Sequence, residues 1–353
     1  MKISKLRKKM NEEDIDSFLA IQNARYFSDT PTSAALIVTE ERNILLCGRL
    51  DLDRTKKESD IEEIRAYTNL DTPLREGEKI ILGEFSEAIS EILNELEAKK
   101  VGFDSLGDRT LNKIKESHQA EYKKESDLVK ELRITKTKEE IKRIKKAGKI
   151  ATKGMRKAEE LIEPGITEIE LAAEIEYEMR KLGSEGTAFD TIIASGETSW
   201  YPHTEATDNE IGESGLVTID LGARWKGYKS DMTRTFTISP TEKQEKIMQV
   251  TQNAKKRAQN QLKDGIKAKK VEETAREVFR EEGYEKYYLH SLGHGVGLNT
   301  HEPPRISTSS DEILRKNMVI TIEPGLYIRD QGGCRIEDTI LVKEEGYKKL
   351  TGI

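Results

Sequence analysis

The sequence is poor in several things that would each announce a class of protein. It holds two cysteines among 353 residues, Cys47 and Cys334, far apart and in no paired motif. That excludes a disulfide framework and a thiolate zinc site, and leaves two reduced thiols. No apolar run reaches the ~18 residues that a membrane-crossing helix requires. Residues 1–16 are basic and then acidic, without the apolar stretch of a secretory signal. A cytoplasmic protein with no membrane partner is therefore the expectation. There is no surplus of positive charge either: 59 Lys and Arg are interspersed with 65 Asp and Glu, for a net charge of −6. A phosphate-binding face needs a basic excess, so nucleic acid is not an expected partner. Histidine is scarce as well, with five in the chain, so where they fall is informative.

Hydrophobic residues make up 35% of the chain and charged residues another 35%, and the length suggests two domains. Residues 1–130 read as an α/β domain with strands at 34–38, 43–47, 79–82 and 101–103. A helix over 85–98 turns Ile89, Ile92, Leu93 and Leu96 to one side. The charged stretch 121–130 leads into a different pattern. Thr137 and Glu140 fit a capping box, as do Thr167 and Glu170, each opening a helix. Ile141, Ile144, Gly148, Ala151, Met155, Ala158 and Ile162 recur at helical spacing in the first, and the lysines around them form a solvated face. Pro164 and Gly165 end that helix, and Gly183 ends the second.

A strand at 188–194, a loop with His203 and a hairpin over 216–237 come next. The same order then returns. Pro240 opens a helix with Ile247, Val250, Ala254 and Leu262 inward, and another helix spans 270–283. A strand at 287–292 leads to His294 and His301, and a hairpin over 318–342 closes the chain. Asp220 to Glu323 is a shift of 323 − 220 = 103, and Asp231 to Glu337 one of 337 − 231 = 106. Residues 131–353 thus read as a duplicated unit, an antiparallel sheet curved around a central site and backed by helices. The fold class is mixed α/β (α+β).

The hairpins carry the chemistry. A turn centred between Trp225 and Lys226 places Asp220 opposite Asp231, and a turn near Asp330 places Glu323 opposite Glu337. Pro324 loosens the second register, because proline suits only edge or bulged strands. Directly opposed residues stand roughly 5 Å apart at Cβ, so inward carboxylates at this spacing repel and lose hydration unless a cation joins them. Two divalent ions would balance the charge of the four. His294 is the fifth ligand candidate. Glycines at 293, 295 and 297 rule against a helix there and allow the backbone to approach a ligand closely. Carboxylates with one imidazole suit Mn, Co, Fe or Zn. Of the histidines, His118 reads as an exposed side chain in a polar helix. His203, His290, His294 and His301 all adjoin the two hairpins.

At these residues the sequence resembles the pita-bread metallopeptidases, in the branch of Xaa-Pro dipeptidase (prolidase) and Xaa-Pro aminopeptidase. The resemblance lies in Ile219-Asp-Leu-Gly, Gly227-Tyr-Lys-Ser-Asp-Met-Thr-Arg-Thr, Gly293-His-Gly-Val-Gly-Leu, Ile322-Glu-Pro-Gly-Leu-Tyr and Arg335-Ile-Glu-Asp-Thr, in family order. It covers residues 133–350, and extends more loosely to the N-terminal part around Asn23 and Tyr26. It implies two divalent ions per chain, with Mn or Co first among the candidates. Asp220 and Asp231 would bind one ion and His294 the other, with Glu323 and Glu337 completing the pair and Asp231 and Glu337 bridging. A hydroxide between the ions would be the nucleophile and Glu323 the general base.

His203 and His301 match histidines that steady the scissile carbonyl and the tetrahedral intermediate, and His290 matches one behind the ligands. Arg305 matches a position that holds the substrate's free carboxylate, and Arg335 one that orients Glu337 or its neighbours. The implied substrate is an Xaa-Pro dipeptide and the implied assembly a homodimer. Longer Xaa-Pro peptides are the alternative substrate, and a non-catalytic peptide-binding module is a distant one. One departure stands out: Ser199-Trp200-Tyr201 replaces the family's small residues before His203. These aromatics either wall a substrate pocket or simply pack.

Overall fold

The computed structural model describes residues 2–353, and the chain divides into two compact units, Met1–Arg133 and Ile134–Ile353. The first is built on a seven-stranded sheet in the order Ile80–Leu82, Glu63–Thr68, Asn43–Gly48, Ser33–Thr39, Ser17–Ala20, Lys100–Phe103, Glu121–Lys124. Ser33–Thr39 runs antiparallel to both neighbours and every other pair is parallel. The central strands are near-continuous apolar runs, such as Ile44–Cys47 and Ala35–Val38, because both faces are covered. Helix Phe85–Glu95 packs Ile89, Ile92 and Leu93 onto one of them, as its spacing predicts.

Three of these strands were not evident from the sequence. Glu63–Thr68 buries Ile64 and Ala66, while Arg65 and Glu63 face outward in an ion network with Arg42 and Glu95. Glu121–Lys124 lies at the sheet edge, where charged residues are tolerated. His118 corrects an expectation. It follows the helix Asp108–Ser117 and is buried, with Nδ1 2.7 Å from the Tyr122 hydroxyl, and burial lowers its pKa.

In the second unit both expected capping boxes form, and Thr241 with Gln244 makes a third. Helix Lys138–Leu161 packs on Glu168–Lys181, and Glu242–Gln259 on Ala268–Glu281. Each pair backs an antiparallel sheet. The first sheet joins Ile192–Ser195, Gly215–Leu221 and Met232–Ile238. The second joins Glu302–Ile306, Gly293–Gly295, Val319–Ile322, Asp338–Val342 and Tyr347–Lys349. Alternation along the strands decides what faces the helices. Val217, Ile219 and Leu221 pack with Ile150, Met155 and Ile175, and Ile320 and Ile322 pack with Val250, Ala254 and Val271. By the same period of two, Thr218, Asp220, Thr321 and Glu323 turn to the other face.

Two expectations in this unit are overturned. Residues 287–292 do not form a strand; Glu285–Tyr287 is a single 3-10 turn, and the strand is Gly293–Gly295, which places His294 on a sheet. A Cβ on Gly293 would lie 2.2 Å from the Thr321 carbonyl oxygen, so what comes close is the neighbouring strand rather than a ligand. The first hairpin is also shifted. Its turn is the pair Lys226–Gly227, with φ of +48° and +77°, flanked by Trp225 opposite Tyr228. Two positive φ values define the type I′ turn, whose twist matches the strands and which favours glycine. Asp220 consequently faces Thr233, not Asp231; Asp231 sits two residues along on the same face, a diagonal neighbour. Gly227→Ala is expected to cost about 1–2 kcal/mol, the penalty of a Cβ in left-handed backbone, read as a lowered thermal midpoint. The second hairpin follows the expected register: Ile322 opposes Asp338 and Gly325 opposes Arg335, which sets Glu323 across from Glu337.

Candidate metal centre

The two hairpins and the Gly293–Gly295 strand bring five side chains together. Donor atoms of Asp231, His294 and Glu337 lie within 4.8 Å of one another. His294 Nε2 is 3.7 Å from Asp231 Oδ2 and 3.3 Å from Glu323 Oε1. Thr321 Oγ1 donates to the same Glu323 oxygen at 3.1 Å. Asp220 Oδ2 accepts from Arg335 Nη2 at 2.7 Å, and Thr233 Oγ1 donates to Glu337 Oε2 at 2.7 Å. One oxygen on each of Asp220, Asp231 and Glu337 is buried with no hydrogen-bond partner among the described residues.

Those orphaned oxygens test whether the site suits a cation. A buried acceptor left unpaired costs about 1–3 kcal/mol, more when charged. Burial pushes the Asp231 carboxyl well above the usual carboxylate range, and the charges of Glu337, Asp220 and Glu323 push it further. Burial raises Glu337 too, with Glu323 and Asp220 adding to it. Burial also acts to raise Glu323, but the hydrogen bond and charge of His294 bring it down to about 2. His294 is pulled down by burial and up more strongly by Glu323, ending above its usual value. One imidazole and the Arg335 guanidinium cannot compensate four carboxylates. A hard divalent cation would satisfy the free oxygens and remove the repulsion, and oxygens with one imidazole nitrogen are suitable donors for it.

The surrounding polar groups hold these ligand candidates in place. Arg335 donates to Asp220, to the Tyr327 hydroxyl at 2.7 Å, to the Pro202 carbonyl at 3.0 Å and to Thr233 Oγ1 at 3.3 Å. It grips Asp220 directly and reaches Glu337 through Thr233. His290 is fixed between the Ser291 carbonyl, 2.9 Å from Nδ1, and the Tyr327 hydroxyl, 3.0 Å from Nε2; burial lowers its pKa and keeps the ring neutral. The His301 ring lies 4.2 Å from that of His294, and burial, with the charge of His294, lowers its pKa. Arg305 pairs with His294 across the ladder and is exposed, its N–H donating to Glu312 at 2.8 Å.

The five ligand candidates and His203, His290, His301, Arg305 and Arg335 all line one cavity of about 1000 Å³. Trp200 and Tyr201 do not. Their rings meet at 4.6 Å between centroids, tilted by 41°, and border a separate cavity of about 450 Å³ with Gln244 and Gly332, so they do not wall this site. Sequence reasoning missed Tyr327, Thr233, Thr321 and Thr339. The last accepts the Asp231 N–H and donates to its carbonyl. Each lies two or four positions from a ligand candidate, and strand alternation alone could have found them.

Residues 142–344 match the family model described as metallopeptidase family M24, and residues 2–135 match the creatinase/prolidase N-terminal domain. A Pyrococcus furiosus protein named Xaa-Pro dipeptidase is 42% identical, the alignment covering 99% of this chain and 97% of the relative. A solved Xaa-Pro dipeptidase from Bacillus anthracis superposes with a TM-score of 0.91 at 34% identity, over 100% of this chain and 97% of the other. A solved X-Pro aminopeptidase from Thermotoga maritima gives 0.89 at 31% identity, over 100% and 98%.

Proposed function

Because the chain belongs to metallopeptidase family M24, we propose that it hydrolyses the peptide bond before proline, in Xaa-Pro dipeptides. The observation that carries this reading is a buried cluster of carboxylates with orphaned oxygens, facing a cavity in which Arg305 stands across the ladder from His294. Two divalent ions, Mn or Co, would be held by Asp220, Asp231, His294, Glu323 and Glu337. When bound, such ions polarise a carbonyl and acidify water.

The rest of the chemistry belongs to the protein's side chains. Glu323, ionised at neutral pH, takes the proton of the attacking water and passes it to the leaving nitrogen. His203 and His301 donate to the scissile carbonyl as charge builds on its oxygen. His290, through Tyr327, and Arg335, through Asp220, keep the cluster in register. Arg305 clasps the substrate's free carboxylate with its planar fork. Residues 1–130 are assigned as the creatinase/prolidase-like domain and 131–353 as the catalytic domain of a cytoplasmic homodimer. No described helix is long and apolar enough to cross a membrane.

The alternative reading, an Xaa-Pro aminopeptidase on longer peptides, draws on the likeness to the Thermotoga enzyme. Hydrolysis of Leu-Pro, Leu-Ala and Leu-Pro-Pro separates the two. The proposal expects Leu-Pro to be the preferred substrate, and cleavage of Leu-Pro-Pro but never of Leu-Pro would overturn it. Arg305→Ala should raise KM for Leu-Pro by about 10-fold or more, the worth of one charge-assisted pair, with little change for the C-terminal amide.

A further inference from the structure

The loop that carries His203 leaves the first sheet after Ser195 and comes back beside the start of the helix Glu168–Lys181 at Thr207. Both of its stems end on one carboxylate. Glu168 Oε1 accepts the Ser195 N–H at 2.9 Å and the Ser195 hydroxyl at 2.6 Å. Glu168 Oε2 accepts the Thr207 N–H at 3.1 Å and the Thr207 hydroxyl at 2.8 Å. Glu168 is fully buried, at 0% exposure, and opens the helix Glu168–Lys181. The backbone around it is tied to the same returning segment, with Glu168 N–H donating to the Asn209 carbonyl at 3.0 Å and Ile169 N–H to the Thr207 carbonyl at 2.9 Å.

A buried carboxylate satisfied by four neutral donors is a costly way to pack a helix, since an apolar side chain would fill the place without desolvating a charge. Its two oxygens do something an apolar side chain cannot: they fix the separation and orientation of two strands of backbone. Residues 196–206 are thereby closed into an Ω-like loop anchored at both stems. The loop's middle is held from the other side by Arg335, through the Pro202 carbonyl. His203 is the next residue, and it lines the cavity.

The second half of the unit repeats the device. Glu272, 272 − 168 = 104 residues later, is fully buried in the helix Ala268–Glu281. Its Oε2 accepts the Leu292 N–H at 2.6 Å and the Tyr288 hydroxyl at 3.3 Å, on the segment that leads to His294. The two helices are offset by 268 − 168 = 100 residues, so Glu272 stands a turn further along its helix than Glu168 does, but each half uses a buried helical glutamate to set the segment bearing its histidine.

We propose that Glu168 is a positioning residue for turnover, acting through His203 and not through the metal ligands. The inference rests on the reading of His203 as a donor to the substrate. Its test is kcat and KM for Leu-Pro, with metal content, in Glu168→Gln, His203→Ala and the double variant. His203→Ala should lower kcat by about 100-fold. Glu168→Gln should lower it by about 10-fold with metal content unchanged, and the double variant should fall no further than His203→Ala alone, as coupled residues do. The same fold loss from Glu168→Gln in both backgrounds, or no loss in the wild-type background, would overturn the positioning role while leaving His203 as a catalytic residue. An unchanged rate in His203→Ala would instead remove the reading beneath it, and the inference with it. If Glu168→Gln does not fold, Thr207→Val takes its place. It removes one donor and keeps the carboxylate, with about 3-fold loss expected in the wild-type background and none beside His203→Ala; equal losses overturn the proposal.

Discussion

Replacing Asp231 by Asn is expected to abolish hydrolysis of Leu-Pro while making the metal-free protein more stable. The two effects have opposite signs because the residue serves a cation and not the fold. Asp231 is buried, one of its oxygens has no partner, and its backbone alone is bonded to Thr339. An amide of the same shape keeps those backbone bonds and removes one of several like charges, relieving repulsion worth about 1–2 kcal/mol. The pH dependence follows from the direction of its pKa. A carboxyl raised in the native state binds its proton more tightly folded than unfolded. Asp231 therefore contributes a loss of stability to the metal-free protein as pH climbs above the ordinary carboxylate range near ~4 and through the raised native value. Asp231→Asn should flatten that slope. Thermal melts of both metal-free proteins between acid and neutral pH read it directly. A variant less stable than wild type at neutral pH would mean that Asp231 supports the fold.

Glu323→Gln is expected to lower kcat by a factor on the order of 100 to 10,000, the usual contribution of a general base, with a much smaller change in KM. Glu323 stands across from Glu337 and is held by Thr321 Oγ1 and His294 Nε2. Its low pKa, brought about by His294 against the effect of burial, keeps it ionised at neutral pH, so its carboxylate carries no proton of its own. Glutamine keeps one carbonyl oxygen for binding and loses the basic one. Steady-state kinetics on Leu-Pro, with metal content measured on the same sample, separates the proton-transfer role from ligation. Loss of metal in proportion to loss of rate would assign Glu323 to ligation alone.

How far the sequence revealed these features depended on how local their causes are. Alternation in Val217–Leu221 and in Val319–Ile322 placed the carboxylates opposite the helix-packed face, and the capping boxes opened the helices where they were expected. The register of the first hairpin was missed by one step on each strand. Glycine at the second turn position determines the turn, which is centred between Lys226 and Gly227. The strand Gly293–Gly295 was hidden because it is three residues long with glycine at both ends and is held by pairing with Glu302–Ile306 and Val319–Ile322, whereas the aromatic and apolar residues at 287–292 imitate a strand locally. Glu121–Lys124 likewise owes its conformation to Lys100–Phe103. Glu168 reads as an ordinary acid at a helix N-terminus, where the dipole favours one; only the packed structure shows it buried and gripping a loop.

The central claim is that the carboxylate cluster works with bound divalent ions. It is tested most directly by removing metal with a chelator, verifying the removal by elemental analysis, and assaying Leu-Pro before and after adding Mn or Co. The expected result is loss of hydrolysis on depletion, recovery as about two ions bind per chain, and no recovery in Asp231→Asn. Undiminished hydrolysis by protein verified to be free of metal would contradict the account.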